Sequence, residues 1–107
     1  MYVLFLCSRN RLRSPTAEHL FVDWPGVQTA SAGLADDAET PLSADMLEGC
    51  DLVCVMERRH RALLMRRFAA HLRGVRVVCL DIADHYAYMA PALIDLLNRR
   101  VPPLLNR

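Results

Sequence analysis

The chain has 107 residues, of which 53% are hydrophobic and 23% charged, and its net charge is +1. That length supports one domain with one core, over residues 1–107, and the near-neutral balance excludes a general nucleic-acid-binding or membrane-binding surface. All 13 basic residues are arginine, a compositional bias that lowers the weight of any single one.

Residues 2–7 (Tyr-Val-Leu-Phe-Leu-Cys) form a continuous apolar run, as expected of a strand buried on both faces of a parallel sheet. The opening stretch lacks a basic segment and a small-residue cleavage site, so it reads as that strand and not as a signal peptide. Ser14 is expected to cap the next helix, with Pro15 at its first position and Glu18 in its first turn. Ala17, Leu20 and Phe21 give the helix an apolar face, and Trp24-Pro25-Gly26 ends it. A second strand is expected over 27–32, up to Gly33, followed by a polar loop over 34–40. A short helix from Pro41 to Leu47 is closed by Gly49. Residues 51–56 read as a third strand, and 57–72 as the longest helix, stopped by Gly74. A fourth strand spans 75–80, and the loop Asp81-Ile82-Ala83-Asp84-His85-Tyr86 follows. Pro91 opens a last helix through Leu97, and Pro102-Pro103 is expected to end the ordered chain. Strands alternating with helices imply a three-layer α/β/α domain with a four-stranded parallel sheet and right-handed crossovers. Ligands of such domains sit beyond the carboxyl ends of the strands, where the loops after strands one and four lie.

The loop after strand one carries the chemistry: Cys7-Ser8-Arg9-Asn10-Arg11-Leu12-Arg13-Ser14. A short polar loop between a buried strand and a helix start gathers backbone N–H groups and the positive end of the helix around an oxyanion. A thiol at the strand end sits inside that cradle, which favours the nucleophilic thiolate. Arg13 adds a planar fork that matches two oxygens of a phosphate or arsenate. These parts describe a cysteine-dependent phosphatase site with no metal and no cofactor.

The other titratable residues read more plainly. Cys50, Cys54 and Cys79 lie in or beside apolar runs and read as packing residues. No cysteine spacing matches a zinc site or a disulfide scaffold, so the expected setting is the reducing cytoplasm. No apolar run is long enough to cross a bilayer. His19, His60 and His71 are expected on solvated helix faces, as is the arginine cluster at 58, 59, 61, 66 and 67. His85 adjoins Asp84 and is the histidine expected to tune that carboxyl or touch substrate.

Cys7-x-x-Asn10-x-x-Arg13-Ser14-Pro15-x-Ala17-Glu18 resembles the low-molecular-weight protein tyrosine phosphatase family, whose fold is shared with thioredoxin-coupled arsenate reductases. Ser31-Ala32-Gly33, Met56-Glu57-Arg58-Arg59-His60-Arg61 and Ile82-Ala83-Asp84-His85-Tyr86 extend the resemblance over essentially the whole chain. The resemblance implies that family's flavodoxin-like topology. It also implies that Cys7 attacks phosphorus to form a cysteinyl-phosphate. Arg13 and the backbone of Ser8, Arg9, Asn10, Arg11 and Leu12 would bind the equatorial oxygens. Asp84 would protonate the leaving oxygen and then activate water. Ser14 would donate to the Cys7 thiolate, Asn10 and Ser31 would pin the loop, and Tyr86 would wall an aromatic cleft. The implied substrate is a phosphorylated protein or small phosphomonoester, with inorganic phosphate as product and inhibitor. No nucleic acid or membrane partner is implied.

The chain departs from the family pattern at four places. Arg9 replaces a glycine, Leu12 a second loop cysteine, His85 a proline, and Leu34-Ala35-Asp36 an aromatic and a glycine. Two rival readings follow from the residues: an arsenate reductase, which needs resolving cysteines near the site, or a catalytically weak phosphate-binding module.

Overall fold

The computed structural model describes residues 1–105. Four parallel strands, β1 (Tyr2–Cys7), β2 (Gln28–Gly33), β3 (Leu52–Val55) and β4 (Arg76–Cys79), form one sheet in the order β2-β1-β3-β4. Leu4 of β1 lies beside Ala30 of β2 on one side and Val53 of β3 on the other, and Val53 lies beside Val77 of β4. The helices α1 (Arg13–Phe21) and α2 (Arg58–Phe68) lie in the crossovers after β1 and β3, and α3 (Pro91–Arg100) follows β4.

Successive side chains of a strand point to opposite faces, and the central strand is apolar on both. Val3, Phe5 and Cys7 belong to one core with Phe21 of α1 and Leu93 and Leu97 of α3. Leu4 and Leu6 belong to the other, with Leu64 of α2. Helices therefore cover both faces, which is why residues 2–7 show no polar alternation.

Several element ends differ from the sequence-based expectation. Leu12, not Ser14, is the N-cap of α1, and it makes no side-chain capping bond. Ser14 lies inside the helix, where its hydroxyl finds partners in the preceding loop instead. The expected helix from Pro41 is reduced to a 3-10 turn over Ala44–Leu47, because Pro41 is held in an isolated bridge to Gly33. The helix after β3 runs as α-helix only to Phe68 and tightens into a 3-10 turn over Ala69–His71. Helix α3 continues past Leu97 to Arg100. Pro102–Leu104 then forms a 3-10 turn that seats Val101 and Leu105 in the core. A proline lacks only a donor that the first residues of a helical turn do not use, so Pro102-Pro103 starts a new turn and does not end the order. Among the described residues no helix is long and apolar enough to cross a membrane.

Candidate active site

The loop from Cys7 to Arg13 lies at the carboxyl end of the central strand, and the loops from its neighbours close around it. The Cys7, Ser8 and Arg9 carbonyls accept hydrogen bonds from the backbone N–H groups of Leu34, Ala35 and Glu39, at 3.0, 2.8 and 3.0 Å. Carbonyls turned outward leave the loop's own N–H groups free to face inward, as an anion cradle requires. The Asn10 N–H points at Cys7 Sγ, 3.3 Å away. Asn10 makes the tight turn with φ at 57°, a left-handed conformation that asparagine tolerates better than most residues.

That close packing depends on Gly33. A Cβ there would sit 2.5 Å from the Ser8 carbonyl oxygen and 2.6 Å from the Ala38 Cβ. The end of β2 must lack a side chain for the loop to lie against it.

Cys7 is buried, and its Sγ lies 2.9 Å from Ser14 Oγ, which in turn lies 2.9 Å from the Asn10 side-chain oxygen position. A single hydroxyl proton serves one of these at a time. Ser14 Oγ donates to Asn10 Oδ1, and with a thiolate at Cys7 the same proton goes to sulfur instead.

Arg13 is 2% exposed, and Glu57 and the backbone aim it. Its Nη1 donates to Glu57 Oε2 and, at 2.8 Å, to the Ile82 carbonyl. With Nη1 held from behind, the Nε–Nη2 edge is the one left to offer two parallel donors to an anion. The Asp84 carboxylate stands 3.7 Å from Nε and is 59% exposed, free to exchange Arg13 for an incoming ligand. Burial by itself would raise the Glu57 carboxyl, but hydrogen bonds and charge from Arg13 and Arg59 outweigh it and hold its pKa near about 2. Glu57 therefore stays charged and keeps Arg13 in place.

His60 is not on a solvated face; it is fully buried. Its Nδ1 accepts the Glu57 backbone N–H at 3.1 Å, so the proton sits on Nε2 and is donated to Ser8 Oγ at 2.9 Å. Glu57 and His60 also form a capping box that opens α2. Burial, then the charges of Arg59 and Arg13, push the His60 pKa down to about 4, which keeps the imidazole neutral. The capping-box spacing of Glu57 and His60 was present in the sequence, but the arginines around it gave the segment the look of a solvated face.

A cleft of about 770 Å³ opens over Cys7, lined by Ser8, Arg9, Arg11, Leu12, Arg13, His60 and Asp84 among others. The structure brings most of the expected site residues here, but not all. Tyr86 is half-buried against the core on one face of the sheet and is not among the residues that line the cleft. Ser31 donates to Glu18 Oε1 on α1, and among the described residues its side chain makes no hydrogen bond to the loop. Asp81 lines a separate groove beside β4, whereas Asp84 faces Cys7 and Arg13. The arginine cluster is split: Arg59 and Arg67 face the cleft, and Arg58 and Arg61 face the groove beside β4. Among the described residues no group of three or more potential metal ligands converges.

The parallel sheet in the order β2-β1-β3-β4, with helices on both faces, is the low-molecular-weight protein tyrosine phosphatase fold. Solved structures share it over nearly the whole chain. The tyrosine phosphatase AmsI of Erwinia amylovora is 26% identical, with a TM-score of 0.76 over 99% of this chain and 93% of that one. A cysteine-to-serine mutant of the YwlE arginine phosphatase, with a phosphorylated active-site serine, is 22% identical, with a TM-score of 0.79 over 97% and 93%. The tyrosine phosphatase Wzb of Escherichia coli K30, in complex with phosphate, is 23% identical, with a TM-score of 0.75 over 92% and 91%. No protein-family model and no curated protein matches the chain.

Proposed function

We propose that the protein is a metal-independent phosphatase that hydrolyses phosphomonoesters through Cys7. The observation that carries this reading is the joint placement of Cys7, Arg13 and Asp84 around one cleft, with Ser14 against the Cys7 sulfur and Arg13 anchored from behind by Glu57 and Ile82. The Cys7 thiolate attacks phosphorus; the P–S bond forms as the P–O bond to the leaving group breaks. Asp84 gives its proton to the departing oxygen. Water then attacks the cysteinyl-phosphate, Asp84 takes the water's proton, and sulfur leaves as thiolate. Arg13 and the loop N–H groups carry the charge of the phosphoryl oxygens in both steps.

The finer assignment is phosphotyrosine. Leu12, Leu34 and Leu63 line the cleft and offer an aromatic ring apolar contact. A phosphoarginine would bring its own guanidinium towards Arg9, Arg11, Arg59 and Arg67, which favours tyrosine over the arginine substrate of YwlE. The arsenate reductase reading lacks a resolving thiol. Cys54 is buried in β3 beside Phe5, Cys50 precedes that strand at the opposite edge of the sheet, and Cys79 lines the groove beside β4. Burial also pushes Cys50 up to about 11 and Cys54 up to about 12, leaving both as unreactive thiols at neutral pH.

The test is a leaving-group series. Asp84→Asn is expected to lower kcat/KM, which reports the first step, by about 10²–10⁴-fold for phosphotyrosine, the usual worth of general acid catalysis, and much less for p-nitrophenyl phosphate. Cys7→Ser should abolish both. Equal losses of kcat/KM in Asp84→Asn on both substrates would remove Asp84 as the acid, and turnover surviving Cys7→Ser would remove the phosphatase reading.

A further inference from the structure

The cleft is far larger than a phosphoryl group needs, and its outer part is built of arginine. Arg59, Leu63 and Arg67 follow one another at i, i+4 spacing along α2, so they share one face of the helix, and all three line the cleft. Arg9 and Arg11 line it from the loop. With Arg13, five guanidinium groups line the cleft together with the carboxylates of Asp36 and Asp84, and Asp37, Glu39 and Glu57 pair with the arginines from its margin.

The arginines differ in how they are neutralised. Arg9 pairs with Asp37 at 3.8 Å and Arg11 with Glu39 at 3.2 Å, and all four side chains are exposed. Such pairs are weak and exchange readily for a ligand's anion. Arg59 is held by Glu57, which Arg13 shares. Arg67 makes no ion pair among the described residues; its Nη1 donates to the Leu34 carbonyl at 2.9 Å, which fixes it against the cleft wall. A held, unpaired guanidinium beside a phosphoryl site has its geometry set before a ligand arrives, so less is lost in ordering it.

We propose that Arg67, together with Arg9 and Arg11, forms a second anion subsite that selects phosphotyrosine side chains set in acidic peptide segments. The inference rests on the phosphatase reading for the identity of the phosphoryl site, and its test is a binding measurement that does not require turnover. The Cys7→Ser protein is titrated with three phosphotyrosine peptides of equal length, flanked by Asp and Glu, by Ala, or by Lys. The acidic peptide should bind about tenfold more tightly than the Ala peptide at low salt, with the advantage shrinking to about twofold near 0.5 M salt. Adding Arg67→Gln should erase most of the preference. Adding Arg66→Gln, the same charge change at an exposed neighbour outside the cleft, should leave it nearly intact. Equal binding of the acidic and Ala peptides would overturn the subsite, and so would a preference lost as fully in Arg66→Gln as in Arg67→Gln. Turnover of p-nitrophenyl phosphate by the unmodified protein judges the phosphatase reading separately. Turnover without an acidic preference removes only the subsite, and a preference without turnover removes only the enzyme.

Discussion

A neutral, buried imidazole beside a phosphate loop has a measurable thermodynamic consequence. The folded protein holds His60 down near about 4, against an ordinary value of 6.5, so between these limits the unfolded chain binds more protons than the folded one. The contribution of His60 is therefore fully present above about pH 6.5 and is lost as pH falls towards about 4. Glu57 acts in the same direction but in a lower window, from 4.5 to about 2. Urea midpoints at about pH 7.5 and about pH 5 isolate the histidine. The unmodified protein should lose on the order of 1–2 kcal/mol more across that interval than His60→Gln does, and equal losses would place His60 outside the linkage. At this scale the placement of Cys7 and Arg13 in one cleft was legible in the sequence, because the loop that carries them is contiguous. His60 was not. Its bond to Ser8 crosses 52 residues, and the capping-box spacing with Glu57 marks a helix start, not a histidine that will be drawn under a loop. Tyr86 was placed at the cleft by resemblance, but in the chain's own packing its ring lies against the core.

The loop after β2 shapes the cradle as much as the loop after β1 does. The Leu34, Ala35 and Glu39 amides hold three successive carbonyls of the phosphate loop, and Gly33 lets the two backbones approach. Gly33→Ala puts a methyl 2.5 Å from the Ser8 carbonyl oxygen and 2.6 Å from the Ala38 Cβ, and neither is the far end of a flexible side chain that could step aside. The expected cost is about 1–3 kcal/mol of stability, as for other overpacked sites. The fall in kcat/KM should exceed tenfold, roughly the cost of moving catalytic donors by a fraction of an ångström. Urea unfolding and p-nitrophenyl phosphate kinetics on the same sample check both. A variant that unfolds more easily yet keeps full kcat/KM would mean that the loop's N–H groups do not depend on this contact. The strands and helices were readable because periodicity and turn residues are local signals. Their ends were not, because tertiary partners decide them: Ser14 gave up capping for Cys7 and Asn10, and Pro41 gave up a helix for a bridge to Gly33.

For the molecule as a whole, the strand order assembles the site. With β1 between β2 and β3, Cys7 sits at an edge where the loops leaving β2, β3 and β4 meet, supplying Leu34, Glu57 and Asp84. The alternation of strands and helices made a parallel sheet legible, and the carboxyl-edge rule for ligand sites then brought Cys7 and Asp84 to the same side of it. The central claim is that Cys7 carries the phosphoryl group between two half-reactions. Asp84→Asn should expose it directly. With p-nitrophenyl phosphate the first step hardly needs an acid, while the second loses its base, so the intermediate should accumulate. Rapid mixing followed by an alkaline quench and peptide mapping should find one phosphoryl group on the peptide containing Cys7, formed in a burst that matches the p-nitrophenol released. Steady release of p-nitrophenol with no phosphoryl group on Cys7, or with it on another residue, would contradict the account.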